Sequence, residues 1–203
     1  MLYRIAAMKK VFGIIMLAMT GLLSAALFVA CGDVESEFST APCSMYFDNQ
    51  THNDATLAAA MTPFSGIFVT ITTTSKSGAQ YFVFTNNQGS SSQVVFDAKD
   101  KQRQQAGQLI LGLNGAIIVG YGFSTSKDIY AYDRECPNCF DSNALPLRSY
   151  PLKVNSAGIA SCSNCHRTYD LNNGGIIASG NGGKKMTRFP VVTTGAYGLL
   201  SVR

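Results

Sequence analysis

Four cysteines in two short loops constrain this chain more than any other feature. Cys136-Pro137-Asn138-Cys139 and Cys162-Ser163-Asn164-Cys165 are separated by 22 residues. A CxxC spacing lets both sulfurs of a tight loop face one point, and two such loops together offer four thiolates in a tetrahedron. Proline and asparagine inside the loops suit tight turning, and asparagine accepts left-handed backbone angles. The donor set suits zinc, with Zn–S distances of about 2.3 Å. Two other readings stay open. In an exported chain the same thiols can close two disulfides. A thioredoxin-like redox pair needs a βαβ context, which the pattern lacks. The paired spacing favours chelation at Cys136, Cys139, Cys162 and Cys165. Cys43 is left over, either a buried small apolar residue or a free thiol. His166 follows Cys165 directly, and adjacent residues on an extended strand point opposite ways, so it belongs outside the ligand shell. His52 reads as a surface residue.

The pattern around these loops is that of strands. Ile67–Ile71 and Tyr81–Phe84 are rich in β-branched and aromatic residues, and Ser75-Lys76-Ser77-Gly78 between them is turn chemistry, so the pair reads as a hairpin. Further short strands are expected at 93–96, 116–119, 129–132, 152–154, 168–171, 176–177, 189–192 and 199–202. Each is flanked by Gly, Asn, Ser or Pro. Only Asp54–Met61 is a convincing helix, Ala-rich, capped by an acid and stopped by Pro63. The polar stretch 97–108 is either a helical turn or a loop. Many short strands with frequent turns predict an all-β domain, a small antiparallel sandwich or barrel with one short helix besides an N-terminal signal helix.

The first 30 residues differ in kind. Lys9-Lys10 precede an apolar run from Val11 to Ala30 that ends at Cys31. A basic start, an apolar core and a small residue before the cut describe an export signal. Leu27-Phe28-Val29-Ala30-Cys31 resembles a bacterial lipobox, with Cys31 as the lipidated residue. A transmembrane helix of about 20 residues is the competing reading. Either way the rest of the chain lies outside the cytoplasm; the lipoprotein reading places it in the cell envelope, as an outer-membrane lipoprotein that faces the periplasm or the surface. Met8-Lys9-Lys10 predicts Met8 as the initiator. Acidic residues after Cys31 resemble a surface-display signal. The expected organisation is therefore a signal peptide at 1–30, a tether at 31–44 and a β-domain at 45–203.

Charge narrows the partners. Arg4, Lys9 and Lys10 lie in the signal, which leaves 13 basic against 12 acidic residues, a net charge near +1. No basic stripe supports nucleic-acid binding. The expected partners are the membrane, through the lipid, and a protein or redox partner the sequence does not name. No phosphate loop, nucleophile elbow or HExxH motif points to an enzyme. Tyr46, Phe47, Tyr81 and Tyr121 can line a ligand surface, although sheet packing is the commoner role of such residues.

From Gly115 to Val202 the chain resembles a Rieske domain. That family carries a C-x-H loop and a C-x-x-H loop, the second followed by a small turn, an aromatic-Asp pair and a glycine. Cys162-Ser-Asn-Cys165-His-Arg-Thr-Tyr169-Asp170 with Gly174-Gly175 resembles the second loop. Ile129–Pro137 resembles the strand that enters the first, and Met186–Val191 and Gly198–Val202 resemble closing strands. The ligands depart from the family. Asn138 and Cys165 stand where its histidines should be, Cys139 lies one residue beyond, and Gly182-Gly183 lacks the usual proline. A histidine-ligated two-iron cluster, with its potential of about −150 to +300 mV, is not supported. Four thiolates suit a structural zinc. They also suit an all-cysteine [2Fe–2S] cluster or a single iron in a low-potential electron carrier, the one case in which an oxidoreductase role follows. A disulfide-stapled ligand-binding module is the third possibility. Oxygenases with Rieske domains need a second catalytic domain, for which this chain is too short and has too few histidines.

Overall fold

The computed structural model describes residues 36–123 and 128–203. The signal segment, Cys31 and Met8 lie outside the described residues. Glu37 to Arg203 form one unit. Its strands are β1 (Met45–Asp48), β2 (Phe68–Lys76), β3 (Ala79–Asn86), β4 (Ser91–Val95), β5 (Ala116–Tyr121), β6 (Ile129–Asp133), β7 (Lys153–Val154), β8 (Ile159–Ser161), β9 (Thr168–Asp170), β10 (Ile176–Ser179), β11 (Arg188–Phe189), β12 (Val191–Thr193) and β13 (Leu199–Val202). They form three antiparallel sheets, ordered β1-β13-β12, β10-β9-β8-β7 and β11-β6-β5-β2-β3-β4.

The largest sheet has apolar side chains on both faces, and that arrangement organises the molecule. Successive residues of a strand point to opposite faces. In β5 and β6, Ile117, Val119 and Ala131 therefore enter one core with Phe47, Phe82, Leu200 and Val202. Ile118, Tyr130 and Tyr132 enter the other, with Leu152, Ala160, Tyr169, Cys136 and Cys162. All six residues of β5 are buried, which explains its unbroken apolar run. The second core joins the large sheet, whose β6 leads into Cys136 and Cys139, to the small β7–β10 sheet, whose β8–β9 hairpin carries Cys162 and Cys165.

The all-β expectation holds, and the β2–β3 hairpin pairs from Val69↔Asn86 to Lys76↔Ala79. Ser77 and Gly78 both take positive φ, 50° and 80°, the backbone that a two-residue hairpin turn demands. Helix α1 (Asn49–His52) is a single turn, and α2 (Ala55–Ala60) begins at Asp54, whose carboxylate accepts from Leu57 N at 2.8 Å. The polar stretch after β4 is a true helix, α3 (Ala98–Gln105), started by a capping box between Asp97 and Asp100. Pro190 splits the expected strand at 189–192 into β11 and β12, since it offers no N–H to a ladder. Strands β1 and β8 escaped the sequence reading because they are only four and three residues long. Residues 37–44, assigned above to the tether, run along the domain: Ser39 N donates to Arg188 O, Ser44 pairs with Ile110, and Cys43 is buried in the first core. No helix among the described residues is long and apolar enough to cross a membrane.

Candidate metal centre

Both CxxC segments are held by backbone hydrogen bonds before any ligand is considered. The first leaves β6. Cys136 N donates to Tyr150 O, and Cys139 N and Phe140 N both donate to Cys136 O, which folds Cys139 back towards Cys136. The second closes the β8–β9 hairpin. Cys162 N donates to Arg167 O and His166 N to Cys162 O, with His166 at φ 58° to complete the turn.

The four sulfurs then meet. Cys136 Sγ lies 3.7 Å from Cys165 Sγ, and Cys139 Sγ lies 3.8 Å from Cys162 Sγ. All four lie within 4.8 Å of one another. A tetrahedron with metal–sulfur distances of about 2.3 Å has edges of about 3.8 Å, so the cluster has the dimensions of a metal-binding tetrathiolate. Both of these pairs join one loop to the other, at nearly twice the length of a disulfide bond. Cys136 and Cys162 are buried, whereas Cys139 and Cys165 are partly open. A cavity of about 480 Å³, lined by Leu113, Pro137, Cys139, Phe140 and Lys184 among others, opens beside Cys139. His166 is exposed and stands outside the cluster, as expected. Cys43 takes no part, and burial pushes its thiol up to about 11.

Polar groups surround the sulfurs. Tyr169, fully buried, brings its hydroxyl to 3.3 Å from Cys136 Sγ and accepts from Asn138 Nδ2 at 2.9 Å. Asn138 also donates to Lys184 O at 2.8 Å and accepts from Lys184 N at 2.9 Å, which pins the 181–185 loop over the first CxxC. Gly183 faces Asn138 so closely that a Cβ there would stand 2.3 Å from Oδ1. Asn164 Nδ2 donates to Cys139 Sγ at 3.3 Å. Burial pushes the Cys136 thiol up to about 12, against the opposing pull of the Tyr169 hydroxyl, and raises Cys139 as well. At Cys165 burial also pushes upward but is outweighed by the backbone N–H and guanidinium of Arg167, which bring the thiol down to about 6. Adjacent thiolates repel, so a fully deprotonated set requires a cation at its centre.

Sequence reasoning missed the carboxylates behind the first loop. Asp133 and Glu135 are both buried. Asp133 accepts from Leu113 N at 2.6 Å and Glu135 N at 2.7 Å, and Glu135 accepts from Asn114 Nδ2, Ser149 Oγ and Tyr150 N. They tie the 112–114 turn and the 149–150 segment to the strand that delivers Cys136. The only signal in the sequence was two acids at alternate positions beside a cysteine, which also describes an exposed strand end. The four aromatic residues considered for a ligand surface do not share one. Phe47 is core, Tyr46 lies under the guanidinium of Arg103, and Tyr121 lines a separate cleft beside Arg188.

Comparison with protein-family models, with curated proteins and with solved structures finds no match to this chain.

Proposed function

We propose that this is an exported, lipid-anchored envelope protein whose Rieske-like β-domain is stapled by one zinc ion, held by Cys136, Cys139, Cys162 and Cys165. The observation that carries the metal reading is the pair of inter-loop sulfur separations, 3.7 and 3.8 Å, against a tetrahedral edge of about 3.8 Å. The compactness of the set favours a single ion. A two-iron cluster interposes bridging sulfides, which hold the thiolates of opposite irons further apart than one tetrahedral edge. Four thiolates leave no position for water or substrate, so bound zinc is structural and the module non-catalytic. Its contribution is to join the β6 end to the β8–β9 hairpin. The lipobox-like run ending at Cys31 supports the anchor, and the order of the two thiol loops with Tyr169-Asp170 and Gly174-Gly175 supports the family likeness.

A single iron fits the same edges. Hydrogen bonds to the sulfurs from Tyr169 and Asn164, and the partly open Cys139 and Cys165, suit a low-potential electron carrier with a protein partner. Elemental analysis and the visible spectrum of the purified chain separate these readings. Zinc thiolates are colourless, so the expected result is a colourless protein with zinc that Cys162→Ser releases. Iron with visible absorption replaces the zinc staple by the electron carrier. Two disulfides by mass and no thiol-bound metal overturn both. Mass spectrometry of the peptide that begins at Cys31, expected to carry lipid, tests the anchor.

A further inference from the structure

A second group of ligand-type side chains lies apart from the thiols. His52 ends α1, Asp97 caps α3 and Asp100 sits in its first turn. One atom from each lies within 4.8 Å of the others. His52, read from sequence as a surface residue, is packed: its side chain is 10 % exposed and its ring stacks on Phe47 at 4.8 Å. Its Nε2 faces Asp100 Oδ2 at 3.5 Å and Asp97 Oδ2 at 3.9 Å. Both separations are too long for a normal hydrogen bond. They lie close to the edge of about 3.4 Å that a tetrahedron has when metal–ligand distances are about 2.1 Å, the value for imidazole nitrogen and carboxylate oxygen on zinc.

The other oxygens of both carboxylates are already engaged. Asp97 Oδ1 accepts from Asp100 N at 2.8 Å, and Asp100 Oδ1 faces Arg103 Nη1 at 3.6 Å. Arg103 is itself braced over the Tyr46 ring at 4.3 Å. These contacts hold the carboxylates in place and turn both Oδ2 atoms towards His52, the outer-shell support that metal ligands commonly have. Asp100 Oδ2 also accepts from Asp97 N at 3.1 Å, which leaves a carboxylate oxygen a further lone pair. Asp100 is 4 % exposed and Asp97 34 %, so the group opens to solvent on the Asp97 side.

We propose that His52 Nε2, Asp97 Oδ2 and Asp100 Oδ2 form a second site, a three-ligand site for a divalent ion of the zinc class with its fourth position open to solvent. The site draws on none of the cysteines, so it stands whether or not the thiols bind metal. The mixed imidazole and carboxylate donors select first-row ions such as zinc or cobalt over calcium.

The test is a cobalt titration of the untagged full-length chain in detergent, with bound metal counted after desalting. Thiolate-to-cobalt absorption reports the cysteine site separately from total metal. Wild type is expected to hold one equivalent that gives no thiolate absorption, and His52→Ala to lose that equivalent while any thiolate band is unchanged. Asp97→Asn, which keeps an oxygen to cap α3, is expected to lose it too, and decides the matter if His52→Ala fails to fold. A wild type with no equivalent beyond the thiolate-bound one overturns the site, as does retention of the extra equivalent in either folded variant.

Discussion

The hydroxyl of Tyr169 lies 3.3 Å from the sulfur of Cys136, so a strand that leaves one thiol loop supports a ligand of the other. Because the same hydroxyl accepts from Asn138, its own proton is directed to the sulfur. Both Tyr169 and Cys136 belong to the core shared by the large sheet and the β7–β10 sheet. Tyr169→Phe should therefore leave Asn138 short of a partner and cost about 1–3 kcal/mol in urea unfolding of the metal-loaded chain. In the cobalt form the thiolate absorption should also shift, a change that loss of packing alone does not produce. An unaltered spectrum would remove Tyr169 from the surroundings of the metal.

The two kinds of cysteine should separate cleanly. Cys162→Ser is expected to release the thiol-bound metal and to cost several kcal/mol, because ligation is coupled to folding. Cys43 packs in the first core, outside the cluster, so Cys43→Ala should keep the metal and lose about 1 kcal/mol of packing. Metal content and melting temperature of both variants check this. A Cys162→Ser protein that keeps its metal and its melting point would refute the shared site.

Asp133 predicts a pH dependence. Burial pushes its carboxyl from 3.8 up to about 6, against the downward pull of the Leu113 and Glu135 backbone N–H groups. Between those values the folded chain binds more protons than the unfolded one. The carboxyl's contribution to stability is thus fully present below about pH 4 and lost as pH rises through about 6. The stability of wild type relative to Asp133→Asn should fall by at most about 3 kcal/mol between pH 4 and 7. Effects common to both proteins cancel in that difference. Denaturant unfolding at several pH values measures it, and a flat difference would mean that Asp133 ionises as an exposed carboxylate does.

Local order along the chain was enough for the class of fold and for the four thiols. A CxxC spacing, a hairpin turn at Ser77-Gly78 and an Asp54 cap are properties of a few consecutive residues, and each acts through bonds made within that short span. The unbroken apolar run of β5 marked a strand, whereas the division of Ile117 and Ile118 between two cores came from the packing of both faces. Only the tertiary structure could decide which loops meet. Asn138 clamps Lys184, Tyr169 reaches Cys136, and His52 faces Asp97 and Asp100, in each case across tens of residues. Such contacts follow from how the sheets stack on their shared cores, and the residues beside each partner in sequence carry no trace of that stacking.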